Sequence, residues 1–188
     1  AGREYSATSA QGTTMRFTPR TAIVLCAGLG TRMRPLTNDR PKPMIEVSGK
    51  FLIDWILDDL SNAGITTVVV NVHYKADILV THLANRTEPR IILSDETQQL
   101  LDTGGGVAQA LPLIEDEVVV VINSDALWRG GFTGALTTLV EGWKKNAMDA
   151  LLLLAPIDLA HGLESAGDFF LESGNTPERR GDRSSAPF

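Results

Sequence analysis

An α/β fold, Rossmann-like and doubly wound, with a mostly parallel sheet carrying helices on both faces, follows from three observations. Runs of Val, Ile and Leu recur along the chain and are nearly continuous, the pattern of strands covered on both faces. Amphipathic stretches separate them, as parallel strands joined by helical crossovers require. The first apolar run leads straight into a glycine-rich turn. With 188 residues, 43% hydrophobic and 21% charged, the chain has the size and composition of one globular domain with a real core.

The elements are expected in the following order. Residues 1–14 are polar and small, without the apolar segment of a secretory signal. They read as a disordered extension or expression remnant, with Met15 as a natural start. A strand is expected at Thr21–Cys26 and a helix at Phe51–Asn62. That helix turns Leu52, Trp55, Ile56 and Leu60 to the core and Asp54, Asp58 and Asp59 to water. Gly64 suits its C-terminal cap. A strand at Thr67–Asn71 follows, then His73 as a packing or capping residue and a helix at Lys75–Asn85. Strands at Arg90–Leu93, Glu117–Ile122 and Ala147–Leu154 alternate with helices at Gly106–Leu111 and Thr133–Lys145. Crossovers of this kind are right-handed. From Pro156 to Phe188 the composition shifts to Gly, Ser, Pro and charge, which fits either a tail or a chain cut before its last elements.

Composition removes several classes of function. The net charge of −6 argues against general binding of nucleic acid or anionic membrane. Cys26 is the one cysteine, so no disulfide framework or multi-cysteine metal site is open. At a strand end it reads as a core thiol. The three histidines have no metal-ligand spacing. No apolar run nears the ~18 residues of a bilayer span, and the cytoplasm is the default location.

Against that acidic background stands the segment from Leu25 to Pro43, LCAGLGTRMRPLTNDRPKP, with Arg32, Arg34, Arg40 and Lys42 opposed only by Asp39. Two familiar glycine motifs fail here. The dinucleotide fingerprint would need glycine where Met33 stands, and the NTPase phosphate loop would need Gly-Lys-Ser/Thr. What remains is physical. Ala27 to Gly30 lets backbone N–H groups approach an anion closely. Arg32 can fork onto two phosphate oxygens. Lys42 offers a compact charge from a segment held extended by Pro41 and Pro43. Such a set suits a polyphosphate.

The run LCAGLGTRMRPLTNDRPKPMIEVSGK resembles the signature of the sugar-1-phosphate nucleotidyltransferases. The resemblance continues through VVVNVHYKADILVTHL and SDETQQLLDTGGGVAQALP to VINSDALW, about Thr21 to Asp158. It implies transfer of a nucleoside monophosphate from an NTP to a sugar 1-phosphate, with release of pyrophosphate. By the resemblance, Ala27, Gly28, Leu29, Gly30 and Thr31 form the triphosphate loop, Arg32 holds the β- and γ-phosphates, and Lys42 contacts the reacting phosphates. Thr103, Gly104 and Gly105, within Leu101–Gly106, bracket base and ribose, Glu96 lies near the base, and Asp125 holds Mg²⁺. The Thr-Gly-Gly-Gly form most resembles the bacterial branch that joins UTP to N-acetylmuramic acid 1-phosphate; mannose-1-phosphate guanylyltransferases are the alternative. A non-catalytic, nucleotide-sensing pyrophosphorylase-like domain is a third reading. The implied partners are an NTP and a sugar 1-phosphate, with no nucleic acid and no membrane, and with a homo-oligomer left open. Residues 15–188 are expected to form the nucleotidyltransferase domain without its C-terminal sugar-binding portion. Such a chain should bind nucleotide weakly and turn over poorly.

Overall fold

The computed structural model describes residues 18–162, 165–171 and 176–188; the expectations for residues 1–14 and for Met15 lie outside them. Strand β1 (Thr21–Leu25) is buried at every residue but its last. A two-residue antiparallel pair, β2 (Glu46–Val47) and β3 (Lys50–Phe51), was not foreseen and leads into α1 (Leu52–Asn62). Helix α1 buries Leu52, Ile53, Ile56, Leu57 and Leu60, the spacing of one helical face. Trp55 departs from the expected core position: it is half-buried, and its indole N–H donates to Val47 O at 3.0 Å. Gly64 closes the helix at φ 91°.

There follow β4 (Thr67–Val72), α2 (Ala76–Leu83), β5 (Arg90–Asp95), α3 (Asp102–Ala110), β6 (Val120–Asn123) and α4 (Thr133–Gly142). Strands β5-β4-β1-β6 lie side by side in that order, all parallel, with Thr21 opposite Thr67 and Ala22 opposite Val120. The chain steps outward from β1 to β4 and β5, then returns to the other side of β1 for β6. That reversal makes a topological switch point between β1 and β6, where the strand ends leave a crevice.

Residues of β1 alternate between faces with the strand period of two. Ala22 and Val24 join Val68, Val70 and the buried face of α1, with Leu79 and Leu83 of α2. Ile23 joins Val69 and Ala110 on the other side, against Val107 and Ile114. Helices therefore cover both faces. Ile53 and Leu57 are fully buried, and truncating either to Ala should cost about 2–5 kcal/mol. Among the described residues no helix is long and apolar enough to cross a membrane.

Where the sequence reads as one domain over 15–188, the chain divides between Val140 and Glu141 into two compact units. In the second, β7 (Phe169–Leu171) pairs antiparallel with β8 (Pro177–Arg179), so the tail-like stretch carries structure of its own. Arg180 Nε donates to Gly167 O at 2.7 Å, and the Arg183 guanidinium stacks 4.0 Å from the Phe170 ring centre. The strand expected at Ala147–Leu154 does not form. Leu152 is 51% exposed, and the segment has no ladder partner among the described residues; without one, an apolar run gains nothing from extending. Other boundaries move by two or three residues: β6 begins three residues later than expected, β5 runs on to Asp95, α2 ends at Leu83 and α4 stops at Gly142.

Candidate active site

At the switch point a cleft of ≈ 320 Å³ opens over the ends of β1 and β6. Leu25, Cys26, Ala27, Gly28 and Arg32 line one side, and Asn123, Ser124 and Asp125 another, with Lys42, Asn71, Leu100, Asp102 and Thr103 completing it. Of the residues expected to act, Ala27, Gly28, Arg32, Lys42, Thr103 and Asp125 converge there.

The first loop owes its shape to Gly30. Its backbone is left-handed (φ 64°), and an added Cβ would come within 2.9 Å of Thr37 Cγ2, so only glycine fits. Its carbonyl accepts the Met33 N–H at 3.0 Å and the Thr37 hydroxyl at 2.8 Å. This turns the chain into a short 3-10 segment, Thr31–Met33, which carries Arg32 back to the cleft. Leu29, Gly30 and Thr31 therefore shape the loop and do not line the cleft. Gly28 is open to it, with nothing within 4 Å of an added Cβ.

Lys42 comes from a second 3-10 segment, Lys42–Met44, entered from extended Pro41 and with Pro43 inside its first turn. Its ammonium reaches 83 residues along the sequence to ion-pair with the Asp125 carboxylate. Asp125 sits two residues past β6, where Ser124 N–H donates to Leu25 O at 3.3 Å. A strand end with its backbone tied to the neighbouring strand gives that carboxylate a fixed origin.

Gly104 and Gly105 are not in a free loop, and the helix expected from Gly106 starts earlier. All three glycines lie in the first turns of α3, and only Asp102 and Thr103 of the run reach the cleft. Close packing overrides glycine's poor helix propensity here: a Cβ at Gly106 would come 2.7 Å from Glu96 Oε1. Asp102 has φ 60° and accepts the Thr103 N–H at 2.9 Å.

Glu96 is the clearest correction. It is 2% exposed and stands behind the cleft wall, its Oε1 accepting from Asn71 Nδ2 at 2.7 Å. Just past the end of β5 it turns inward under α3, so its side chain does not line the cleft. His73 keeps the expected capping part, its Nδ1 2.6 Å from Glu96 O. Asn71, Asn123 and Ser124 line the cleft and were not singled out from the sequence; the polar Asn71 inside the otherwise apolar VVVNV was the available signal.

Burial pushes the Cys26 thiol up to about 12, against a hydrogen bond with Ser124 and with Asp125 adding to the rise. A thiol so held is no nucleophile. The expected Mg²⁺ has two cleft carboxylates to meet, that of Asp125, whose side chain is 38% exposed, and that of Asp102, which accepts the Thr103 N–H. No group of three or more His, Cys, Asp or Glu could hold a metal among the described residues. That donor set is too small for an all-protein cage. It suits Mg²⁺ taken up with phosphates, which uses one or two carboxylates and fills the other positions with phosphate and water oxygens.

The acidic set on α1 is not simply solvated, as its sequence suggested. Asp58 bonds both Lys50 and Arg86, and Asp54 meets His82 Nε2 at 2.9 Å and Arg86 at 3.5 Å.

Comparison with known proteins adds an independent line. The nucleotidyl transferase family model matches residues 21–161. An N-acetylmuramate alpha-1-phosphate uridylyltransferase from Caulobacter vibrioides is 47% identical over 163 residues, covering 85% of this chain and 67% of its own. A mannose-1-phosphate guanyltransferase from Emericella nidulans is 30% identical over 141 residues, covering 73% and 38%. The crystal structure of HddC from Yersinia pseudotuberculosis complexed with GMP-PN is 30% identical, with a TM-score of 0.51, over 56% of this chain and 48% of that one. The chain thus spans about two thirds of the first of these and half or less of the others.

Proposed function

The chain belongs to the nucleotidyl transferase family, and we propose that its cleft binds a nucleoside triphosphate and serves transfer of the nucleotidyl group to a sugar 1-phosphate. UTP and N-acetylmuramic acid 1-phosphate are the substrates we favour, on the 47% identical uridylyltransferase. The observation that carries the reading is the meeting of Arg32, Lys42 and Asp125 with the Ala27–Gly28 backbone in one cleft at the switch point.

A phosphate oxygen of the sugar attacks the α-phosphorus of the NTP. The new P–O bond forms as the bond from the α-phosphorus to the bridging oxygen breaks, and pyrophosphate leaves with that electron pair. The attacking oxygen is already ionised, so no protein base is needed. Such transfers depend on positioning and charge neutralisation. Arg32 forks onto the outer phosphates, the N–H groups from Ala27 to Gly28 face the same anion, and Lys42 leaves Asp125 to meet the reacting phosphates. When Mg²⁺ is bound, Asp125 would hold it, and its charge would offset that on the leaving pyrophosphate. Thr103 and Asp102, at the start of α3, border the space left for base and ribose.

A guanylyltransferase is the second reading, favoured by the 30% identical Emericella relative and by the HddC complex. The test is pyrophosphate release from UTP or GTP with a panel of sugar 1-phosphates. Release with UTP and N-acetylmuramic acid 1-phosphate supports the first reading, and release with GTP and mannose 1-phosphate the second. Nucleotide binding with no release in any pairing supports a sensing role and rejects both.

A further inference from the structure

Between the two segments that border the cleft runs a chain of buried hydrogen bonds that the chemistry above leaves unused. Asn71 and Glu96 are each 2% exposed. Asn71 Oδ1 accepts the Cys26 N–H at 2.6 Å, and its Nδ2 donates to Glu96 Oε1 at 2.7 Å. Glu96 Oε2 then accepts the Leu101 N–H at 3.2 Å. The amide orientation is forced, because the Cys26 N–H needs an acceptor and the carboxylate needs a donor. Gly106 closes over the pair, where a Cβ would lie 2.7 Å from Glu96 Oε1 and 2.8 Å from Asn71 Nδ2. The backbone at Glu96 is also tied, its N–H to Val72 O at 2.9 Å and its carbonyl to the Gln99 N–H at 3.0 Å.

Stability alone does not call for this arrangement. Buried polar pairs can be replaced by apolar residues of similar volume at little cost, whereas a half-satisfied pair is expensive. What the polar pair adds is direction and length. Its ends are Cys26, where the Ala27–Gly28 loop begins, and Leu101, where α3 and its cleft residues Asp102 and Thr103 begin.

We infer that Asn71 and Glu96 are positioning residues that set the distance between the phosphate-receiving loop and the base-side start of α3, so that a nucleotide is measured across its whole length. The ligand in this inference rests on the nucleotide-binding reading above; the geometry does not.

Three variants of the full 188-residue chain test it. Glu96→Gln turns one acceptor into a donor, so somewhere along the relay one N–H must face another. Asn71→Asp sets two carboxylates against each other. The double variant N71D/E96Q satisfies every link again, with the aspartate accepting from Cys26 and from the glutamine, and the glutamine oxygen accepting from Leu101. Calorimetric titration uses two probes with Mg²⁺: UTP, which reaches both segments, and inorganic tripolyphosphate, which reaches one. E96Q should weaken UTP about tenfold, the size of one lost charge-assisted bond, and tripolyphosphate at most about twofold. The double variant should return UTP to within about threefold of the parent.

UTP affinity unchanged in E96Q, equal loss on both probes, or a folded double variant without recovery would each overturn the inference. A parent chain that takes up neither probe rejects the nucleotide reading instead. Amide exchange then decides the relay by itself. Faster exchange at Cys26 or Leu101 in E96Q, reversed in the double variant, upholds it, and unchanged exchange overturns it. Where a single variant fails to fold, the double variant carries the test.

Discussion

On the outer side of α1, Lys50, Asp54, Asp58, His82 and Arg86 occupy one another: Asp58 takes bonds from two cations, and Asp54 faces His82 and Arg86. In the cleft the supply is short. Arg32 has no carboxylate partner among the described residues, and Lys42 and Asp125 have only each other. Both groups are rich in charge, and each holds two carboxylates, Asp54 and Asp58 on the helix and Asp102 and Asp125 in the cleft. What separates them is saturation. A cluster whose charges are all answered holds the fold, whereas one left short, in a crevice at a strand switch, has capacity to spare for an outside ion.

The comparison breaks hardest at Lys42 and Asp125. Lys42→Ala and Asp125→Ala should each lower pyrophosphate release by about 10²–10³-fold, as loss of a preorganised charge does. The melting temperature should barely move, because a pair with side chains 21% and 38% exposed contributes less than about 1 kcal/mol. Unfolding on either substitution would put the pair with the helical cluster instead. Arg32→Lys comes next: it keeps the charge and loses the fork, and nucleotide affinity measured by titration should fall about tenfold.

Substitutions in the helical cluster should act the other way round. Burial pushes the Asp58 carboxyl up, but hydrogen bonds and charge from Lys50 and Arg86 outweigh it and hold the group below its ordinary 3.8. A lowered value stabilises the fold above that ordinary range, and the contribution is lost as pH falls through the folded-state value. Asp58→Asn should therefore flatten the acid side of a melting-temperature profile between about pH 5 and 2, while nucleotide affinity stays put. With a side chain 45% exposed, the stability change should be less than about 1 kcal/mol. The smallest effect concerns Cys26, in the cleft wall but with its thiol pushed up to about 12. A disulfide reagent at about pH 8 should leave it unmodified in the native protein and label it on unfolding. Rapid native labelling would mean the wall is more open than its 3% exposure indicates.

Much of this was legible in the sequence where local chemistry decides. Strands β1 and β4 are apolar along nearly their whole length because both faces are covered, whereas β6 at the sheet edge leaves Val121 44% exposed. Arg32 and Lys42 stand out by residue type and spacing, and Asp125 by the family motif that it resembles. Ala147–Leu154 was misleading because an apolar run becomes a strand only when a ladder partner exists, and no residue in it reports on that. The sequence places the start of α3 too late because three glycines argue against a helix locally, while close contact with Asn71 and Glu96 demands the last of them, Gly106. For Glu96, position in the motif points to the base. Which way a side chain turns after a strand is settled by the space beneath the next helix, and sequence spacing is silent on that.

The Lys42–Asp125 contact has one more consequence. A free anion approaching the cleft must pull the lysine from its aspartate, and a free cation must pull the aspartate from its lysine. Each arriving alone gains one contact and forfeits one, so inorganic phosphate or a stray divalent ion has little to win. A polyphosphate that brings its own counterion answers both groups at once and gains two contacts for the one given up. On the nucleotide-binding reading proposed above, these two side chains would act as a coincidence detector that favours the paired cargo over either half.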